Sequence, residues 1–231
     1  MDDLDHIQSL AQDGDAEAQL EIGRMYLNAR DIPQDYLKAH YWFTKAADQG
    51  NAIAEHNLGY MYMNGLGVEA DASEAAIWCR KAADRGLAQS QYILGLFYLE
   101  GNGVLQDYNA ALHWLHKAAE QGLNEAQNQL GLIYSEGIGV AQDYDKALFW
   151  HKKSADQGDP AGQYCLGCCY FNGQGVEKDY DKAVEWLSKA ADQGYIDAQL
   201  GLASIYEASP LKNYCASAEW YLKAAQQGNS H

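Results

Sequence analysis

The residue types best suited to chemistry cluster in a few places. Cys165, Cys168 and Cys169 include a C-x-x-C spacing, which binds zinc or cycles a disulfide when further ligands or a partner thiol join it. No second C-x-x-C and no histidine at zinc-finger spacing accompanies it, and the run falls inside a helical pattern. Thiols filling helix contacts are expected, with metal or redox sensing as the alternative. His113 and His116, at i and i+3, could offer two ligands from one helix but are expected on a solvated face. The runs GLGV at 65–68, GNGV at 101–104, GIGV at 137–140 and GQGV at 173–176 present the G-x-G of phosphate loops. Each follows a helical segment rather than a strand, so its glycines are expected as left-handed caps. Neither G-x-S-x-G nor H-E-x-x-H occurs. The chain is therefore read as not an enzyme, with no cofactor and no metal.

The elements that position these residues recur at a fixed period. KAADQG at 45–50 returns as KAADRG at 81–86, KAAEQG at 117–122, KSADQG at 153–158 and KAADQG at 189–194. A period in this range marks stacked supersecondary units, none of which can bury its apolar face alone. All six tryptophans fall in one register (Trp42, Trp78, Trp114, Trp150, Trp186, Trp220), and tyrosine does likewise at Tyr26, Tyr62, Tyr98, Tyr134, Tyr170 and Tyr206. A ligand site would use an aromatic once or twice, whereas such a ladder means packing. Apolar residues at i, i+4 spacing in each half of the unit predict two antiparallel helices.

Mid-helix glycines (Gly23, Gly59, Gly95, Gly131, Gly167; Ala203 in the last unit) lower helix propensity and must allow close contact. The expected partners are the small residues Ala39, Ala75, Ala111, Ala147, Ala183 and Ser217. Asp35, Asp71, Asp107, Asp143, Asp179 and Asn213 are placed to N-cap the second helices. Lys45, Lys81, Lys117, Lys153, Lys189 and Lys223 stand where the macrodipole favours a cation. KAADQG thus reads as a helix C-terminus, its glycine turning the chain into the next unit.

The pattern A-x-x-x-L-G-x-x-Y, then G-x-G-V-x-x-D-Y, then A-x-x-W-x-x-K-A-A-x-x-G resembles the Sel-one-like (SLR) repeat, a relative of the tetratricopeptide repeats. The resemblance covers residues 15–228, as units 15–50, 51–86, 87–122, 123–158, 159–194 and 195–228, with 1–14 as a degenerate N-terminal capping helix bearing His6 in the tryptophan register and 229–231 as a tail. The first connector, Ala29-Arg30-Asp31-Ile32, lacks both glycines, and the sixth, Ser209-Pro210-Leu211, is short. The resemblance implies an all-α, right-handed superhelical solenoid of six helix-turn-helix repeats.

It also implies that a partner lies on a concave wall built from first helices. By analogy with tetratricopeptide proteins, the variable residues His56, Tyr60, Met63, Asn64, Tyr92, Leu96, Leu99, Glu100, Asn128, Leu132, Tyr164, Cys168, Phe171 and Asn172 face that groove; Ala208 holds the corresponding place in the last unit. Aromatics and methionine suit a recognition surface, and asparagines could hold a peptide backbone. Packing between neighbouring first helices is the competing reading of the same side chains. The expected activity is that of a protein–protein interaction scaffold or adaptor taking a peptide or helix of a partner. The alternative is an acidic inhibitor or immunity protein sequestering a bacterial toxin.

Composition narrows the partners. Sixteen basic against thirty-two acidic residues among 231 give a formal charge of −16, which repels a phosphate backbone. Nucleic acid and anionic lipid are disfavoured and a basic or neutral protein surface fits better, with acidity that only secures solubility as the competing reading. No apolar run is long enough to span a membrane. The N-terminal MDDLDHIQSL is acidic where an export signal is basic, and five unpaired-looking cysteines suit a reducing compartment, so a cytoplasmic location is expected. End-to-end self-association through the C-terminal repeat is a further expectation, since the last helix has no unit after it to cover it.

Overall fold

The computed structural model describes residues 2–208 and 212–228. The Ser209-Pro210-Leu211 connector, the side chain of Ala208, and the tail with His231 lie outside the described residues. Helices account for all the regular secondary structure among the described residues, so the fold is all-α, a solenoid of tandem helix pairs preceded by an N-terminal helix. The chain divides into two compact units, residues 1–121 and 122–231.

In the first unit the helices are α1 (Asp2–Gln12), α2 (Ala16–Asn28), α3 (Tyr36–Asp48), α4 (Ala52–Asn64), α5 (Ala72–Asp84), α6 (Ala88–Glu100) and α7 (Tyr108–Glu120). The pairs α2/α3, α4/α5 and α6/α7 are joined by short connectors and pack along their length. α1 lays Leu4, Ile7 and Ala11 against Ala18, Ile22, Met25 and Trp42, closing the apolar face that a preceding repeat would otherwise cover. In the second unit α8 (Asn124–Glu136) pairs with α9 (Tyr144–Asp156), α10 (Pro160–Asn172) with α11 (Tyr180–Asp192), and α12 (Ile196–Ala208) with α13 (Tyr214–Gly228). Its core gathers Ala183, Leu187, Ala190, Ala191, Ala198, Leu202 and Ile205, with Tyr164, Tyr170, Tyr206 and Trp220 packed against it. On α13, Tyr214 and Leu222 remain exposed.

The caps form as expected. The carboxylates of Asp35, Asp71, Asp107, Asp143 and Asp179 accept from backbone N–H groups two or three residues on, and the Asn213 side chain accepts from Ala216. These bonds favour the ionised form, led by the backbone N–H of the third residue, and hold Asp35, Asp143 and Asp179 below the usual carboxylate range.

The glycine expectation is corrected. Gly23, Gly59, Gly95, Gly131 and Gly167 do not chiefly face the small residues of the second helix. A Cβ on each would run into the side chain that follows the tryptophan: Phe43, Cys79, Leu115, His151 and Leu187. All five of those side chains are buried, so the missing Cβ is room for a knob from the second helix. Ala75, Ala111 and Ala183 contribute only their carbonyl oxygens, 3.3–3.4 Å away.

The two connector glycines do different work. Gly65, Gly101, Gly137 and Gly173 are left-handed C-caps. Gly67, Gly103 and Gly175 sit where a Cβ would overlap the backbone at the start of the preceding second helix, at Tyr36, Ala72 and Tyr144. They are inter-repeat contacts. The first connector has only α1 before it and carries no such glycine, so Ala29 and Asp31 take left-handed conformations themselves, with φ of 55° and 64°.

KAADQG does more than end a helix. Gln49 Nε2 donates both to the carbonyl of Gly14 (2.9 Å) and to Gln19 Oε1 (2.8 Å), while Gln19 Nε2 donates to the carbonyl of Ala11 (3.0 Å). Gln121, Gln91, Gly86 and Ala83 repeat this relay, and Gln193 binds Gly158 and Gln163 in the same way. The relay ties the end of one repeat to the next through otherwise orphaned carbonyls. KAADRG is the charged version: Arg85 donates to both oxygens of Glu55, which is only 2% exposed. The lysines have a second role too, lying over the indole faces of Trp78, Trp114, Trp186 and Trp220 at 3.6–4.6 Å from the ring centroids.

Candidate functional site

The fourteen residues expected to face a groove all lie on first helices, at positions the pair packing leaves at least partly open. In the first unit His56, Tyr60, Met63 and Asn64 stand on α4, and Tyr92, Leu96, Leu99 and Glu100 on α6. Tyr60 and Met63 are 44% and 40% exposed, Asn64 and Glu100 are open to solvent, and the others are half-buried. Tyr60 borders a hollow of about 340 Å³ with Leu27, Asn28, Gln34, Tyr36 and Leu66. In the second unit Asn128 and Leu132 stand on α8 and Tyr164, Cys168, Phe171 and Asn172 on α10, with Leu132 and Asn172 the most exposed.

Several of these side chains also make contacts beyond their own helix. His56 Nδ1 lies 2.8 Å from Ser90 Oγ, joining α4 to α6. This serine–histidine contact is no nucleophile in waiting, because Ser90 is fully buried. Burial lowers the His56 pKa and keeps the ring neutral. Asn128 Nδ2 donates to Asp159 Oδ2 at 2.7 Å, and the same carboxylate oxygen accepts from Ser154 Oγ and the Gly162 N–H. Tyr164 packs against Tyr195, with ring centroids 5.5 Å apart, and Phe171 meets Tyr180 edge-on. Tyr60, Met63 and Leu132 are more open than His56, Asn128 and Tyr164.

The cysteines are all free thiols. Burial pushes Cys165 and Cys169 up to about 12, and raises Cys168 despite its hydrogen bond from the Tyr164 phenol. These are protonated packing groups, and among the described residues no three His, Cys, Asp or Glu side chains converge as a metal site would require. His113 is exposed and meets Trp114 edge-on.

Charge is segregated in a way the aggregate composition hides. The first helices α2, α4, α6, α8, α10 and α12 carry Glu17, Glu21, Glu55, Glu100, Glu125, Glu136, Asp197 and Glu207, against Arg24 as their only basic residue. Apart from Glu21 and the buried Glu55, these acids are exposed. The second helices hold most of the lysines, roughly balanced by acids.

An all-α chain of stacked helix pairs, with half-open apolar and acidic side chains on the first helices of each unit, belongs to the class of helical-repeat proteins. The Sel1 repeat pattern matches six segments, residues 16–51, 52–87, 88–123, 124–159, 160–195 and 196–229, and the chain belongs to the Sel1 repeat family, whose members generally mediate protein–protein interaction. A Sel1 repeat protein from Oxalobacter formigenes is similar at 35% identity and TM-score 0.82, over 91% of this chain and 85% of that one. A protective antigen of uropathogenic Escherichia coli with an SLR fold matches at 37% identity and TM-score 0.65, over 98% of this chain but 57% of its own length. An immunity protein from Pseudomonas aeruginosa shares the fold at 24% identity and TM-score 0.54, over 91% of this chain and 81% of that one. No curated protein matches the chain. Among the described residues no helix is long and apolar enough to cross a membrane.

Proposed function

We propose that the protein is a non-catalytic interaction module that holds a basic polypeptide segment, a peptide or a helix, against the exposed face of its first helices. The observation that carries this reading is the near-absence of basic residues from those helices, beside half-exposed Tyr60, Met63, Leu99, Leu132 and Phe171. Apolar side chains supply contact area, while carboxylates steer cationic partners and reject anionic ones.

Affinity purification with mass spectrometry at low and at high salt tests it. Retained partners should be rich in lysine and arginine and should wash off at high salt. Tyr60→Ala with Met63→Ala in the first unit, or Leu132→Ala with Phe171→Ala in the second, should weaken capture without loss of helical circular dichroism. Acidic partners, or capture indifferent to both salt and all four substitutions, would refute the proposal. Sequestration of a basic toxin applies the same charge pattern to a folded target; a salt-sensitive nanomolar Kd for a folded protein, with no affinity for its isolated segments, would single it out.

A further inference from the structure

The last complete first helix contains a glycine that no packing requirement explains. Gly201 occupies the register held by Asn57, Ile93, Gln129 and Cys165 in earlier repeats, two residues before the mid-helix glycine position. The mid-helix glycines each admit a knob from the second helix. A Cβ on Gly201, by contrast, would find its nearest neighbours, Leu187 Cδ2 and Tyr164 Cε2, at an ordinary 3.7 Å. A glycine inside a helix costs about 1 kcal/mol relative to alanine, and here no side chain enters the space it leaves.

That space is an apolar hollow of about 170 Å³ open to the surface, lined by Tyr164, Cys168 and Phe171 of α10, Leu187 of α11, and Gly201, Ser204 and Ile205 of α12. Ala203, at the mid-helix position, has a Cβ where earlier repeats have none, and Tyr221, in the register of Leu187, stays 41% exposed. Its hydroxyl lies 3.5 Å from Ser204 Oγ and 3.4 Å from Glu207 Oε2. The Cys168 thiol and burial raise the Tyr164 pKa and burial raises that of Cys168, with the Asp197 carboxylate adding to both. On α12, Asp197 precedes Gly201 by about one helical turn and Glu207 follows Ser204 by about one, so an acid stands towards each end of the lining residues on that helix, and α8, α10 and α12 contain no lysine or arginine.

We infer that this hollow is a specificity pocket for one aliphatic side chain, leucine or methionine in size, presented by a basic segment of a partner polypeptide. Its volume is comparable to an apolar cavity of about 150 Å³ that stays dry and admits a ring the size of benzene, so it takes one such side chain. The flanking acids select lysine or arginine on the neighbouring turn of the bound segment. The inference rests on the proposed binding of basic polypeptides and adds to it a defined anchor.

The test uses the full chain and short amidated peptides of lysine, glutamine and alanine that differ only in one central residue: leucine, methionine, alanine or glutamate. Binding is read by fluorescence anisotropy. The leucine and methionine peptides should bind about tenfold or more tightly than the alanine peptide. Gly201→Ile, which puts back the side chain found at Ile93, should erase that preference while raising the melting temperature. Should Gly201→Ile lose helical circular dichroism, Gly201→Ala, whose Cβ fits, should still reduce the preference; an unchanged preference in either folded variant overturns the pocket. Equal affinity for all the basic peptides would overturn the pocket and leave the basic-segment reading intact. Binding of none of them would overturn both.

Discussion

Replacing His151 by leucine should make the second unit more stable and less sensitive to acid. The imidazole sits on α9 at 3% exposure, pressed against Gly131, in the register that Leu115 and Leu187 occupy in neighbouring repeats. Its Nδ1 is buried without a hydrogen-bond partner, and burial pushes the pKa down from 6.5 to about 4. The folded state therefore keeps the ring neutral, while the unfolded chain takes up a proton below its own, higher pKa. The stabilising contribution is present above pH 6.5 and lost as pH falls towards about 4. The whole window is worth about 3 kcal/mol, of which about 2 kcal/mol is already gone at about pH 5. His151→Leu removes both the proton uptake and the unpaired nitrogen, and should gain about 1 kcal/mol or more near neutrality. Urea unfolding followed by tryptophan fluorescence at about pH 7.5 and about pH 5 gives the comparison. His40 and His56, also lowered by burial, are present in both proteins and cancel. The wild type should lose about 2 kcal/mol more than the variant between the two conditions. Equal losses would mean that the imidazole is already charged or solvated in the folded state, and the burial argument would fail.

Arg85→Gln alone should cost about 2 kcal/mol, less than a fully buried pair because the arginine is half-exposed, since it strands the Glu55 carboxylate. Adding Glu55→Gln should recover most of that loss by recreating the amide relay of Gln91 and Gln121, and a double-mutant cycle in urea measures the coupling. Ala29→Gly and Asp31→Gly should each raise stability by about 0.5–1 kcal/mol, because both residues hold positive φ that glycine adopts without strain; a fall in the thermal midpoint would contradict this. Alkylation of the folded protein should label exposed Cys215 first and leave Cys79, Cys165 and Cys169 slow, their thiols being buried and pushed up to about 12; mass spectrometry of timed samples reads the order.

The sequence by itself determined the helix pairs, their period and their caps, because these depend on local pattern. A tryptophan recurring in register, an aspartate ahead of an apolar run and a glycine behind one act within a few residues of where they stand. It also placed the variable side chains on first helices. What each recurring residue touches was decided only in three dimensions. Gln49 reaches Gln19, and Arg85 reaches Glu55, across 30 residues of chain that nothing local connects. The mid-helix glycines receive Phe43 or Leu115 rather than the expected alanines, since the angle at which two helices cross selects which side chain becomes the knob. Gly201 reads as one more helix glycine until its surroundings show that nothing fills the space beside it. Such emptiness is a property of how several helices meet, and a linear pattern carries no record of it.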